Sequence, residues 1–318
     1  MVDYCLGVGK VEFVVLDLEW NQYPGSSRAP VSRSGFVMMN EIVQIGAVRT
    51  DERFHVLNTF AANVRLRGNR KLSWQVARVI TLTEEELKSG ISFPEAYRAL
   101  RRFCDGASGI LSWGIDDQKV LLGNSQFYRL PPMQQPWYDA QNLYRTQLTG
   151  ENPRTSLESA EAHYELESQS RQAHDALSDA LTAARVLSRF DAAEVLGRYQ
   201  DVENVSPRRG LFSGSTPVFL KQNLARDYAR HQVLPCPVCG QPLKYGNLRF
   251  GRKENWQEVR VCPDHGEYIG RFHLRCRSGR YYSVLFSVHA IDDEMRRIIE
   301  HKRRRLAEKA EDGGPAEQ

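Results

Sequence analysis

The chain has 318 residues, 41% hydrophobic and 26% charged, with a formal net charge of +4. This composition excludes an intrinsically disordered chain, and the length favours two domains over one. Asp3, Lys10 and Glu12 interrupt any apolar leader, and no apolar run approaches the ~20 residues needed to span a bilayer. Six cysteines in so long a chain do not make a small disulfide framework. The expectation is a cytoplasmic protein in a reducing setting, without a membrane partner, whose charge permits binding to nucleic acid.

Residues 11–20 read as a first strand. An irregular stretch rich in Pro, Gly and Ser follows. Residues 42–48 are apolar and β-branched, a second strand, and residues 54–62 a third after a tight turn at Thr50-Asp51-Glu52. Three strands in succession suggest an antiparallel meander. The pattern then turns helical. Thr83-Glu84-Glu85-Glu86 and Ser92-Phe93-Pro94-Glu95 have the form of helix starts, the second helix running to about Cys104. Short strands are expected at 109–113 and 137–139. Helices are expected from Asp117, through Leu143-Tyr144, after Ser156, and over 173–190 with an apolar stripe of Leu177, Leu181, Ala184 and Leu187. The fold class is α/β, a mixed sheet flanked by helices over residues 1–198. It is followed by a linker and helix at 199–232, a small cysteine-bearing domain at 233–290 and a basic helical tail at 291–318.

Three constellations in the first domain carry chemistry. Val14-Val15-Leu16-Asp17-Leu18-Glu19 begins as a core strand and ends with two carboxylates on one face. Such a like-charge pair requires water, a partner or a cation. Ser112-Trp113-Gly114-Ile115-Asp116-Asp117 puts a carboxylate after a sharp turn, where Asp117 suits the first turn of a helix either as a cap or as a ligand. His174-Asp175-Ala176-Leu177-Ser178-Asp179 puts Asp179 among small residues beside the apolar stripe. A solvated Asp179 and a capping His174 remain the alternative.

These motifs, with Asn-Glu-Ile-Val-Gln-Ile-Gly-Ala-Val at 40–48, resemble the DEDDh exonucleases of the ribonuclease-H-like fold over roughly residues 11–190. The group most resembled is that of the KapD-like and enhanced-RNAi-type 3′–5′ exonucleases. The resemblance implies that Asp17, Glu19 and Asp179 ligate one Mg²⁺ or Mn²⁺ and share in a second, which Asp117 helps to hold. Two ions about 4 Å apart would serve an in-line attack of water on a phosphodiester. It also implies that His174 is the general base, suited by an ordinary pKa of roughly 6.5. The family register favours Asp117 over Asp116 and Asp179 over Asp175, and leaves Asp139 a structural or secondary role. RNA is the favoured substrate, with single-stranded DNA open and the oligomeric state undetermined. A non-catalytic nucleic-acid-binding protein that keeps the fold is the competing reading. The intact set of Asp17, Glu19, Asp117, His174 and Asp179 argues against it.

The tail carries a separate signal. Cys236-Pro-Val-Cys239-Gly240 and Cys262-Pro-Asp-His265-Gly266 are paired knuckles, the spacing of a closed tetrahedral Zn²⁺ site that folds a ribbon. His273 and Cys276 have the same spacing without the following Gly. Arginines and aromatics are interleaved through this ribbon, among them Arg249, Trp256, Arg260, Tyr268, Arg271, Phe272, Arg275, Arg277 and Tyr281. They suit either phosphates and bases or ordinary solvated strand edges. Arg296, Arg297, Lys302, Arg303, Arg304 and Arg305 make the final helix basic, suited to a polyanion or to water.

Overall fold

The computed structural model describes residues 11–23, 29–67, 71–147, 155–166, 175–189, 191 and 212–311. The chain divides into two compact units, Met1–Val202 and Glu203–Gln318. No helix among the described residues is long and apolar enough to cross a membrane.

The first unit is built on strand β1 (Phe13–Gln22). A short β2 (Phe36–Val37) precedes β3 (Asn40–Thr50), and β4 (Val56–Asn63) follows it. β1, β3 and β4 form an antiparallel meander, while β5 (Gly109–Ser112) and β6 (Trp137–Asp139) add in parallel on the other side of β1. The sheet order is β4-β3-β1-β5-β6, a mixed sheet. Helices α1 (Glu84–Ser89), α2 (Phe93–Phe103), α3 (Asp116–Phe127), α4 (Ala140–Gln147), α5 (Leu157–His163) and α6 (Ala176–Leu187) cover it.

β1 divides its side chains by parity. Val14, Leu16 and Leu18 join Phe93, Tyr97, Leu100, Val120 and Leu121 of α2 and α3. Phe13 and Val15 join Leu143, Ala180, Ala183 and Leu187 of α4 and α6. Each such buried aliphatic or aromatic side chain contributes about 1.5–3 kcal/mol. On the α6 face the series Phe13, Val15, Asp17, Glu19 passes from core to carboxylate within one strand. β5 pairs with β1 only as far as Val15, so the carboxylates stand beyond its rungs.

The third strand begins at Val56, two residues later than the sequence pattern suggests. The Asp51 carboxylate accepts N–H bonds from Arg53 (2.9 Å) and His55 (2.8 Å), which holds the turn open. Phe54 therefore lies in that turn, at φ 62°, and its ring stacks on Phe13 at 5.3 Å. α6 starts at Ala176 because Asp175 caps it, accepting the Ser178 N–H at 2.9 Å.

The second unit has a four-stranded antiparallel meander, β9 (Lys244–Gly251), β10 (Asn255–Cys262), β11 (Gly266–Arg277) and β12 (Tyr281–Ala290). β7 (Phe212–Ser215) and β8 (Val218–Phe219) also pair with β12. Helix α7 (Gln222–Arg230) lies against β12, and α8 (Asp293–Glu311) inserts Ile299 among Leu248, Val259 and Ile269.

α6 reaches the sheet at Gly46, the residue opposite Asp17 in the β1–β3 register. A Cβ at Gly46 would lie 2.2 Å from the Ala176 carbonyl carbon and 2.2 Å from the Leu177 nitrogen. Only a residue without a side chain allows this approach of helix backbone to strand. Gly46→Ala is expected to lower stability by about 1–3 kcal/mol and to reduce activity further than the stability loss explains. Urea melts beside turnover measured well below the melting temperature will check both.

Candidate active site and metal-binding knuckles

The α6 contact places Asp179 over the carboxylate end of β1. Oxygens of Asp17, Glu19 and Asp179 lie within 4.8 Å of one another, and all three residues are half-buried. Gln44, the register partner of Glu19, pins the start of the helix. Its amide donates to the Asp175 carboxylate at 3.0 Å, and its carbonyl accepts the Ala176 N–H at 2.9 Å, satisfying a helix N–H that has no partner within the helix.

Asp117 is not the cap of α3. Ile115 occupies that position, and the Asp117 carboxylate turns to β1, where it accepts the Leu18 N–H at 3.1 Å. It is buried, outside the three-carboxylate group, yet close enough to Glu19 to repel its charge. Its neighbour Asp116 is exposed and pairs with Lys119 at 3.1 Å. Asp175 is the α6 cap and stands beside the cluster without joining it. Asp139 ends β6 and accepts the Asn142 N–H at 3.0 Å. Gly114, at φ 102°, makes the turn from β5 into α3. His174 lies outside the described residues.

The electrostatics follow from this crowding. Burial first, then the charges of Asp179, Asp117 and Asp175, push Glu19 from an ordinary 4.5 up to about 8. Burial likewise pushes Asp117 up to about 7, with the Leu18 N–H opposing and the charges of Asp116 and Asp139 adding to the rise. Half-buried carboxylates that repel one another form a hard oxygen donor set, and a divalent cation fits it.

Cys236, Cys239, Cys262 and His265 form a second group whose ligand atoms lie within 4.8 Å of one another. The first knuckle closes through the Gly240 N–H on the Cys236 carbonyl at 2.9 Å, with Gly240 at φ 71°. The second joins β10 to β11, with Gly266 at φ 78°. Cys239 and Cys262 sulfurs stand 3.7 Å apart, and His265 Nδ1 stands 3.5 Å from the Cys262 sulfur and 3.8 Å from that of Cys236. A tetrahedron with metal–sulfur bonds of about 2.3 Å and metal–nitrogen bonds of about 2.0 Å has edges of about 3.8 and 3.5 Å. The group therefore fits zinc, and all four cysteines of the second unit are free thiols. Burial raises the Cys236 thiol, but N–H groups of Cys239 and Val238 and the neighbouring thiols bring it down to about 6. His273 binds Asn255 at 2.5 Å and, like Cys276, is not in the group.

The interleaved ribbon residues separate by face. Trp256, Tyr268, Phe272, Tyr281 and Arg260 are buried. Trp256 stacks on Phe272 at 5.0 Å. Glu258, fully buried and without a sequence signal of its own, receives Arg249 at 2.7 Å, the Trp256 indole at 3.1 Å, and Arg260. These side chains are core, not a surface for bases.

Comparison with known proteins gives the class. The family described as Exonuclease (RNase_T) matches residues 14–187. The chain belongs to this family, and its first unit is an exonuclease domain with a mixed sheet flanked by helices, a nuclease hydrolase. Among relatives, the probable 3′-5′ exonuclease KapD of Bacillus subtilis (strain 168) is 30% identical over 148 residues, 46% of this chain and 71% of KapD. Among solved structures, the nuclease domain of 3′hExo, a DEDDh family member bound to rAMP, is 20% identical with a TM-score of 0.48. The match covers 58% of this chain and 93% of that one. Exonuclease I of E. coli, in complex with a dA16 oligonucleotide, is 14% identical with a TM-score of 0.46, over 83% of this chain and 55% of that one.

Because the folded-state pKa of Glu19 lies above its unfolded value, the folded chain holds the extra proton between them. Metal-free protein should therefore lose stability as pH rises from about 4.5 to about 8, and no further above that window through this group. Added Mn²⁺ should raise the melting temperature more at the alkaline end than at the acid end, because cation and proton compete. Differential scanning fluorimetry across that range checks the sign.

Proposed function

We propose that the first unit removes nucleotides from the 3′ end of a nucleic-acid strand with two divalent cations, Mg²⁺ or Mn²⁺. The observation that carries the reading is the convergence of Asp17, Glu19 and Asp179 on one point. These three would hold one cation and share in a second, with Asp117 completing the second set. When bound, such ions supply Lewis-acid stabilisation of phosphoryl and leaving-oxygen charge and make water more acidic.

The chain's own residues do the remaining work. The His174 imidazole takes the proton of the attacking water. The water oxygen bonds to phosphorus, the bond to the 3′ oxygen breaks, and that oxygen takes a proton from bulk water, to which the His174 imidazolium returns its own. Gln44 and Asp175 hold α6 in place so that Asp179 keeps its position. RNA is the favoured strand, on the likeness of the Asp17-Leu18-Glu19-Trp20 and Asn40–Val48 motifs to the enhanced-RNAi-type enzymes, and single-stranded DNA is its competitor. In the second unit we assign one structural Zn²⁺ to Cys236, Cys239, Cys262 and His265, making it a zinc ribbon. Its thiols fit a reducing compartment such as the cytoplasm.

A panel of 5′-labelled RNA and DNA, single- and double-stranded, with Mg²⁺ or Mn²⁺, should show stepwise shortening from the 3′ end. Asp17→Ala should slow it by about a hundredfold or more. Unchanged degradation by that variant would remove the catalytic assignment. Purified protein should carry close to one equivalent of zinc by elemental analysis. Cys239→Ser should lose that zinc together with the cooperative unfolding of the second unit. A zinc-free, fully folded second unit contradicts the ribbon.

A further inference from the structure

On β11, inward Phe272 and Leu274 alternate with Arg271, His273, Arg275 and Arg277, all four exposed. The same face is closed two residues earlier, where Ile269 lies under Ile299 of α8. From Arg271 onward it is open. The row spans about 20 Å, with neighbouring side chains about 6.6 Å apart and arginine at three of its four positions. That step is close to the separation of successive phosphates along an extended strand.

The row is not neutralised. Arg271, Arg275, Arg277 and the adjoining turn residue Arg280 have no ion pair among the described residues. The one acid of the neighbouring β9–β10 turn, Glu254, is accompanied there by Arg252 and Lys253. Of the ribbon's other acids, Glu258 lies inside the core, Glu267 pairs with Arg303 at 2.5 Å, and Asp264 sits in the second knuckle, before β11 begins. Burial, and then the Arg271 charge, hold His289 below the usual histidine range, which places the Arg271 cation close to it. Hydroxyls and amides flank the row on the paired strands, Ser287 and Gln257 beside Arg271 and Asn255 beside His273.

We infer that this face of β11 is a phosphate track that holds one single strand of nucleic acid by its backbone. It deepens the proposed function by naming a surface that retains the substrate, and it rests on that reading for the substrate class. Trp256 and Phe272, the stacked aromatics of this strand pair, are buried behind the row, so the track reads charge and spacing and not sequence. A single linear row suits one backbone, not the two of a duplex.

The test uses the full, zinc-loaded chain and fluorescence anisotropy with labelled single-stranded oligonucleotides. No divalent cation is added, so binding is read without hydrolysis. The triple variant Arg271→Glu, Arg275→Glu, Arg277→Glu should weaken binding by about tenfold or more and reduce the slope of log affinity against log salt by about 2. Arg→Gln at the same positions, a milder change, should give a smaller loss in the same direction. Homopolymers of different base should bind alike. An unchanged salt slope in both variants overturns the track. Tighter binding of duplex than of single strand overturns the single-strand assignment. Absence of hydrolysis in the unaltered chain would overturn the proposed function while leaving the anisotropy result to judge the track.

Discussion

The site depends on a backbone contact. α6 lies against Gly46 with no side chain between them, directly across the sheet register from Asp17. Any Cβ there would push the first turn of the helix outward. Asp179 sits one turn along α6 from Ala176, so its reach to Asp17 and Glu19 is set by this approach. Gln44 reinforces it from two residues away, bonding both the cap and the first N–H of the helix. The packing of Ala180, Ala183 and Leu187 below continues the same close seating into the core.

Such proximity concentrates charge where water is scarce. Glu19 is driven up to about 8 and Asp117 up to about 7, first because both are buried and then because their neighbours are carboxylates. A fold selected for stability alone would not put three carboxylates together there with Asp117 close by. Function explains the arrangement, since a divalent cation converts mutual repulsion into shared attraction. The second unit meets its own requirement differently. Its sheet is small, and two glycine-closed knuckles bring three sulfurs and an imidazole together at one end, where a metal would supply the cohesion that a larger core supplies elsewhere.

What the sequence discloses, and what it hides, follows from the range of the interactions. The change from Val15 to Asp17 along one face of β1 is a period of two, legible without coordinates, and the spacing of the knuckles is equally local. Asp117 was readable as a helix-start residue but not as the acceptor of an N–H ninety-nine positions away. Gly46 lies inside a motif that resembles the family's, yet its reason is a close approach, which no turn signal announces. Glu258 is a charged residue in a strand of polar and apolar residues, and only the fold shows Arg249, Trp256 and Arg260 closing around it. The interleaving of Arg with aromatics is real in the sequence. The strand's two-residue period then sends the aromatics inward and the β11 arginines outward, which composition cannot distinguish.

The central claim is that the α6 contact assembles a cation site from Asp17, Glu19 and Asp179. Anomalous diffraction from crystals of the protein grown with Mn²⁺ tests it most directly. The account predicts an anomalous peak coordinated by oxygens of those three carboxylates, with Asp117 facing any second peak. A hydrolytically active protein whose Mn²⁺ binds elsewhere, leaving these carboxylates bonded only to one another, would contradict it.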